Sequence, residues 1–221
     1  MSLLAVAEAA VKLGVSERRV RQMLAEGVLP GERIGRDWVI DSKAIRQLSK
    51  HRPEVGRPWK AQSVWAVLAL ADGHDIELSP VEHSRARRRL SGGLVNALGR
   101  LGARAERRDF YAHPSVLEHV ARVPGVVRSG VSALREHHVD LVADGMLEAY
   151  MPASALLGLV DRFALEEGAD RPNIILHVVD DAVWPFGPDV VVAPLPVVAV
   201  DLLESDDERS SRAGAELLER R

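Results

Sequence analysis

Arg18, Arg21 and Gln22 are the side chains best placed to do chemistry on a partner, because arginine forks onto guanine and glutamine pairs with adenine. With Ala25 they fall on one stripe of the run from Ser16 to Ala25, while Val20, Met23 and Leu24 fall on the other. Ser16 offers an N-cap and Arg19 a further cation in the same first turns. A basic helix face is usually only a solvated one. The flanking elements argue otherwise.

Val6 to Leu13 reads as a preceding helix, with Gly14 at its C-terminus and Ala9, Ala10 and Leu13 facing the apolar stripe of the second. Gly27 can end that second helix, and Pro30 keeps it from resuming. Arg33-Ile34 and Trp38-Val39-Ile40 read as two short strands around Gly35-Arg36, a pair suited to a type II′ hairpin. Arg33 and Arg36 would then reach phosphate or the minor groove, and Trp38, in phase with Ile40, is assigned to the core. Asp41 can open a third helix through Ile45 and Leu48. Helix, turn, helix and hairpin make a winged helix-turn-helix whose charge sits where a recognition helix carries it.

Residues 4–48 resemble the winged helix-turn-helix of MerR and excisionase-like DNA binders. The resemblance rests on Ala9-Ala10, Leu13-Gly14-Val15-Ser16, Val20, Gly27-Val28-Leu29-Pro30 and Gly35-Arg36-Asp37-Trp38-Val39-Ile40. Ala5 departs from it, standing where such domains often carry a capping Ser or Thr. A missing cap costs about 1 kcal/mol.

The chain has 221 residues, 47% of them apolar and 28% charged, which fits a globular protein of two domains, or three small ones. No run approaches the roughly 20 apolar residues of a membrane span, no secretory signal is read at the N-terminus, and the expected location is cytoplasmic. Without cysteine there is no disulfide, thiolate metal site or cysteine nucleophile. The net charge of −3 divides into +5 for residues 1–60 (12 basic against 7 acidic) and −8 for 61–221 (17 against 25). A basic head on an acidic body suits a chain in which one part meets DNA and the other does something else.

The expected organisation is a winged helix-turn-helix over 1–50, a linker over 51–59 and a body over 60–221; the fold class is mainly α with small β elements, the body being α+β. His51 to Trp59 holds two prolines and a glycine and suits an extended linker. The body should begin with an apolar helix, Gln62 to Ala71, followed by a helix opened by Ser79 or Pro80 and another from Gly93 to Leu101. Arg85, Arg87, Arg88, Arg89, Arg104, Arg107 and Arg108 form a candidate second basic patch for DNA phosphates, RNA or an acidic protein surface. Asn173 to Val179 reads as a buried strand with Val190 to Ala193 as its partner, and Trp184 to Pro188 as a rigid aromatic turn between them. Pro196 can start a helix through Leu203, and Asp206 or Asp207 can cap a last one that packs through Ala213, Leu217 and Leu218.

No catalytic signature stands out: there is no phosphate loop, nucleophile elbow or HExxH. His113 with His119, and His137-His138, lack metal-ligand spacing. Asp201 and Glu204 read as a surface acidic pair, and the body beyond Lys60 has no lysine for a nuclease. No catalytic residue, metal or cofactor is assigned, and the chain is expected not to be an enzyme.

Tyr111-Ala-His-Pro-Ser-Val-Leu117, Val127-Arg-Ser-Gly-Val131, Trp184-Pro-Phe186 and Pro196 to Arg209 resemble AbiEi-type antitoxins. That resemblance implies an N-terminal domain that represses its own operon and a C-terminal domain that neutralises a nucleotidyltransferase-like toxin. The implied partners are double-stranded promoter DNA and a cognate toxin, with no membrane; a dimer on DNA is one option, and the sequence leaves the oligomeric state open. In that family basic surface on the C-terminal domain also assists DNA binding, which would suit the Arg85–Arg89 and Arg104–Arg108 groups. The rival readings are an orphan MerR or excisionase-like regulator whose body senses a small ligand, and an excisionase-like architectural protein.

Overall fold

The computed structural model describes residues 3–13, 16–27, 29–35, 37–42, 44–45, 58–74, 78–139 and 145–220. The chain divides into two compact units, Met1–Glu54 and Val55–Arg221. Most of the linker expected over 51–59, together with Arg36, Leu48 and Gly14, lies outside the described residues.

In the first unit, β1 (Leu3–Ala5) leads into α1 (Val6–Leu13), α2 (Glu17–Ala25), β2 (Glu32–Ile34) and β3 (Asp37–Asp41). Ala5 offers no capping oxygen to α1, but its own N–H donates to the Glu8 carboxylate at 2.9 Å, so half of a capping box survives. Gly27, at φ +71°, closes α2 in the left-handed region where a side chain would be strained. β2 and β3 form an antiparallel hairpin in which Arg33 faces Trp38. β1 adds a third strand on the far side of β3, Leu4 opposite Ile40; three residues are too few to show a strand period in the sequence. Ala9, Val20, Leu29 and Ile40 are buried in one core with Leu13, Met23 and Leu24, and Trp38 packs half-buried against it.

The second unit is a mixed five-stranded sheet covered on both faces. Its strands are β4 (Glu106–Tyr111), β5 (Val127–Arg128), β6 (Leu147–Pro152), β7 (Glu166–Glu167) and β8 (Ile174–Val179), in the order β5-β6-β8-β4-β7. β6 and β8 run parallel, joined through α7 (Leu156–Phe163), and the other pairs are antiparallel. One face packs Val127, Tyr150 and Val179 against α3 (Ala61–Ala71), α4 (Pro80–Leu90), α5 (Leu94–Leu101), α8 (Leu195–Glu204) and α9 (Glu208–Glu219). The other packs Phe110, Ala149, Met151, Ile174 and Leu176 against α6 (Leu117–Ala121) and α7. Ser79 and Glu82 make a full capping box on α4, and Asp207 caps α9 through the Ser210 N–H.

Two expectations are corrected here. Val190 to Ala193 is not the partner of β8; Val192 makes only a parallel bridge to Arg128, while β8 lies between β6 and β4. The sheet therefore has five strands rather than two. Charge hides β4, whose run Glu-Arg-Arg-Asp-Phe-Tyr shows no apolar alternation, because only Phe110 of the strand is buried.

Asp201 and Glu204 are not a surface pair either. Asp201 is 2% exposed and Arg104 only 3%. Arg104 Nη2 donates to Asp201 Oδ1 at 2.7 Å and to Glu204 Oε2 at 2.5 Å, and its Nε donates to the Tyr150 hydroxyl at 2.8 Å. Tyr150 donates in turn to Asp201 Oδ1 at 2.7 Å, and the Ser129 hydroxyl donates to Oδ2. Burial opposes the charge on Arg104, yet Tyr150, Asp201 and Glu204 outweigh it and hold the guanidinium pKa well above its ordinary value. The Trp65 indole N–H closes the group by donating to the Arg104 carbonyl at 3.2 Å.

Next to this network, His177 Nε2 lies 2.9 Å from Glu148 Oε1, and the Val131 N–H donates to Oε2 at 3.1 Å. The carboxylate fills the space beside Gly130, where a Cβ would meet Oε2 at 1.8 Å. Only glycine fits there. Burial raises the Glu148 pKa, but the His177 hydrogen bond and charge, the Val131 N–H and the Arg107 charge together leave it below its ordinary value.

Two stability predictions follow from these groups. Arg104→Met strands a buried Asp201 carboxylate and should cost about 3–5 kcal/mol in urea unfolding. A Glu148 pKa that folding depresses contributes stability that is present above the unfolded value and lost as pH falls through the folded one. Glu148→Gln should therefore lower stability near neutral pH and flatten the acid limb of a Tm-against-pH profile; an acid limb equal to that of the wild type would remove Glu148 as its source.

Candidate nucleic-acid interface

α2 turns one face inward and one outward because its apolar residues recur every three to four positions. Val20, Met23 and Leu24 are buried, while Ser16, Arg18, Arg21, Gln22 and Ala25 are exposed. Arg19 lies on α2, and its side chain is outside the described residues. Arg21 Nη2 donates to Glu17 Oε2 at 2.7 Å, with side chains 57% and 48% exposed. Gln22 Nε2 donates to Glu26 Oε1 at 2.7 Å. Ion pairs this exposed are worth at most about 1 kcal/mol, so Arg21 can exchange Glu17 for a stronger anionic partner at little cost. Arg33 on β2 is exposed. The hairpin places it on the element that follows α2, and Arg36 is outside the described residues.

The second basic group is divided by the fold. Arg85, Arg87 and Arg88 are exposed on α4, and Arg87 and Arg88 have no ion-pair partner among the described residues. Arg89 lies with its guanidinium 4.8 Å from the Trp59 ring centroid, and Arg100 lies 5.9 Å from the same ring. The Arg89 pKa is lowered by partial burial and then by the like charges of Arg85, Arg88 and Arg100. Of the other three arginines one is buried and two hold ion pairs at the surface. Arg104 is in the core, a correction to its placement in a surface patch. Arg107 Nε donates to Asp109 at 2.9 Å, and Arg108 Nε donates to Glu167 at 2.7 Å. The outward arginines of this group without an ion-pair partner among the described residues form a positive stripe along α4.

Among the described residues, Glu148, His177 and Asp201 bring ligand atoms within 4.8 Å of one another. His177 gives no ligand signal in the sequence, because it stands inside an apolar strand. The Arg104 guanidinium already neutralises Asp201, and Glu148 is held by His177 and Val131. A divalent ion would have to displace those contacts. His113 instead accepts the Ser115 N–H through Nδ1, capping the turn before α6. No helix among the described residues is long and apolar enough to cross a membrane.

No curated protein and no solved structure matches the chain. Residues 3–50 match the family described as a helix-turn-helix domain, the stretch that carries α1, α2 and the hairpin, so this chain has an N-terminal helix-turn-helix domain.

Proposed function

We propose that this protein is a sequence-specific DNA-binding antitoxin that represses its own operon and neutralises a nucleotidyltransferase-like toxin, and that it is not an enzyme. The observation that carries the DNA-binding part is α2 itself, with Arg18, Arg21 and Gln22 exposed over a buried Val20, Met23 and Leu24 within a matched helix-turn-helix domain. α2 serves as the recognition helix and enters the major groove. The β2–β3 hairpin serves as the wing, and its Arg33 meets phosphate. The α4 stripe of Arg85, Arg87 and Arg88 adds a second set of phosphate contacts. On a two-fold operator the protein acts as a dimer.

The antitoxin part is supported by the charge contrast between residues 1–60 and 61–221 and by the AbiEi-like stretches of the body. Nothing among the described residues favours a ligand-sensing body over it.

A mobility shift on the gene's own promoter tests the first part. Replacing both Arg18 and Arg21 with Ala should weaken specific binding by at least about 1–3 kcal/mol, and unchanged binding would remove α2 as the reader. Arg33→Ala should weaken all DNA binding and reduce the salt slope by about one unit. A change in base preference with the slope intact would contradict a wing role. Co-expression tests the second part. The full chain with Arg18 and Arg21 both replaced by Ala should lose repression yet still relieve the toxicity of the adjacent gene's product. Reversing Arg85, Arg87 and Arg88 to Glu should lower promoter affinity and leave that relief intact. Failure to relieve toxicity would end the antitoxin reading and leave a DNA-binding regulator.

A further inference from the structure

We infer that the outward face of α7 is a self-complementary surface that pairs with a second copy of this chain. α7 buries Leu156 and Leu159 and turns Leu157, Gly158, Asp161 and Arg162 outward. Leu157 is 75% exposed, the most exposed of the large apolar side chains described. Beside the helix lies an open groove, lined among others by Val123, Gly125, Ala155, Gly158, Leu159 and Arg162.

Helical geometry arranges these features with a definite handedness. At about 100° per residue, Gly158 falls in the middle of the exposed arc. Leu157 and Asp161 fall to one side of it. Ala155, Arg162 and the groove fall to the other. A two-fold axis that lies in the interface and runs along α7 sets the two helices parallel and face to face and reverses left and right, so each side of one copy meets the opposite side of its mate. The Leu157 knob of one protomer then faces the groove of the other, and Asp161 lies on the same flank as the mate's Arg162. That is charge complementarity generated by symmetry from a single helix.

Two further observations point the same way. Neither Asp161 nor Arg162 has an ion-pair partner among the described residues; Arg162 only stacks on Phe163, 5.1 Å from the ring centroid. Neighbouring residues on a helix do not face each other, so the two charges cannot satisfy one another within α7. Glycine is also a poor residue for a helix interior, and a Cβ at Gly158 would meet nothing within 4 Å. The protomer gains no packing from that glycine. A second helix crossing close over it does.

The surface is small beside a stable dimer interface, which buries roughly 800 Å² per partner. The association is therefore weak in free solution and is completed on a two-fold DNA site. This deepens the dimer reading given above, and it is measured without DNA, so its failure leaves DNA binding by the head untouched.

Sedimentation equilibrium of the full chain at low salt tests it. The wild type should show a reversible monomer–dimer equilibrium, and Leu157→Glu should weaken it at least about tenfold, with an unchanged circular dichroism spectrum. Asp161→Arg and Arg162→Asp should each weaken the dimer, and the double exchange should restore it. Gly158→Ala should raise Tm, since Ala is the better helix former, while weakening the dimer. A monomer at every concentration, a dimer indifferent to Leu157→Glu, a double exchange no better than its parents, or a Gly158→Ala dimer as tight as the wild type would each overturn the proposal.

Discussion

Arg104 carries a charge into the core of the second unit, and much of that unit is arranged to keep it there. The guanidinium draws together Tyr150 from β6, Asp201 and Glu204 from α8, and the chain just before β4. Ser129, at the end of β5, completes the coordination of Asp201. An unpaired charge at this depth would be costly enough to unfold a domain of ordinary stability. Every lone pair and proton of the group must therefore find a partner, and the packing of α8 against the sheet is set by that requirement. The aromatic cluster around it keeps water out: Trp65 and Phe186 both approach Tyr150 at 5.5 Å, and His177 stacks on it at 4.7 Å.

Desolvation offsets much of the attraction in a buried ion pair, but removing one partner strands the other, so the arrangement of the group is held once it forms. Leucines in the same places could pack in several registers, whereas Arg104 accepts only the one in which Tyr150 and α8 present their oxygens together. The neighbouring Glu148 acts in the same way on the 3-10 turn at Gly130–Ala133. Its carboxylate needs the Val131 N–H and the open side of Gly130, so the turn has one conformation available. α9 adds a close crossing over α8, where a Cβ at Gly214 would meet the Ala199 carbonyl at 2.7 Å.

The first unit is built the other way round. Among its described residues the buried side chains are apolar and the polar ones lie outward, and Arg21 is held by an exposed neighbour, Glu17. A surface that has to exchange its partners for phosphate and base edges gains from that looseness, since little must be broken before DNA is met. Rigidity comes from the helix beneath, whose buried stripe fixes the direction in which Arg18 and Gln22 point.

Local sequence was enough to determine the elements whose pattern repeats within a single turn or pair. α1 and α2, the hairpin strands β2 and β3, the capped helices α4 and α9, and the apolar strand β8 were legible because period, cap and turn residues act over a few positions. The outward face of α2 was legible for the same reason. What local sequence could not determine was the fate of polar residues whose partners are distant. Arg104 and Asp201 are 97 residues apart, and each alone reads as surface, since an unpaired charge belongs in water. β4 and β6 were hidden likewise, because Glu148 and the arginines of β4 break the apolar alternation that would mark a strand. Only the tertiary structure brings each charge to its counter-charge, and it thereby decides which arginines belong to the core and which remain free to meet a partner.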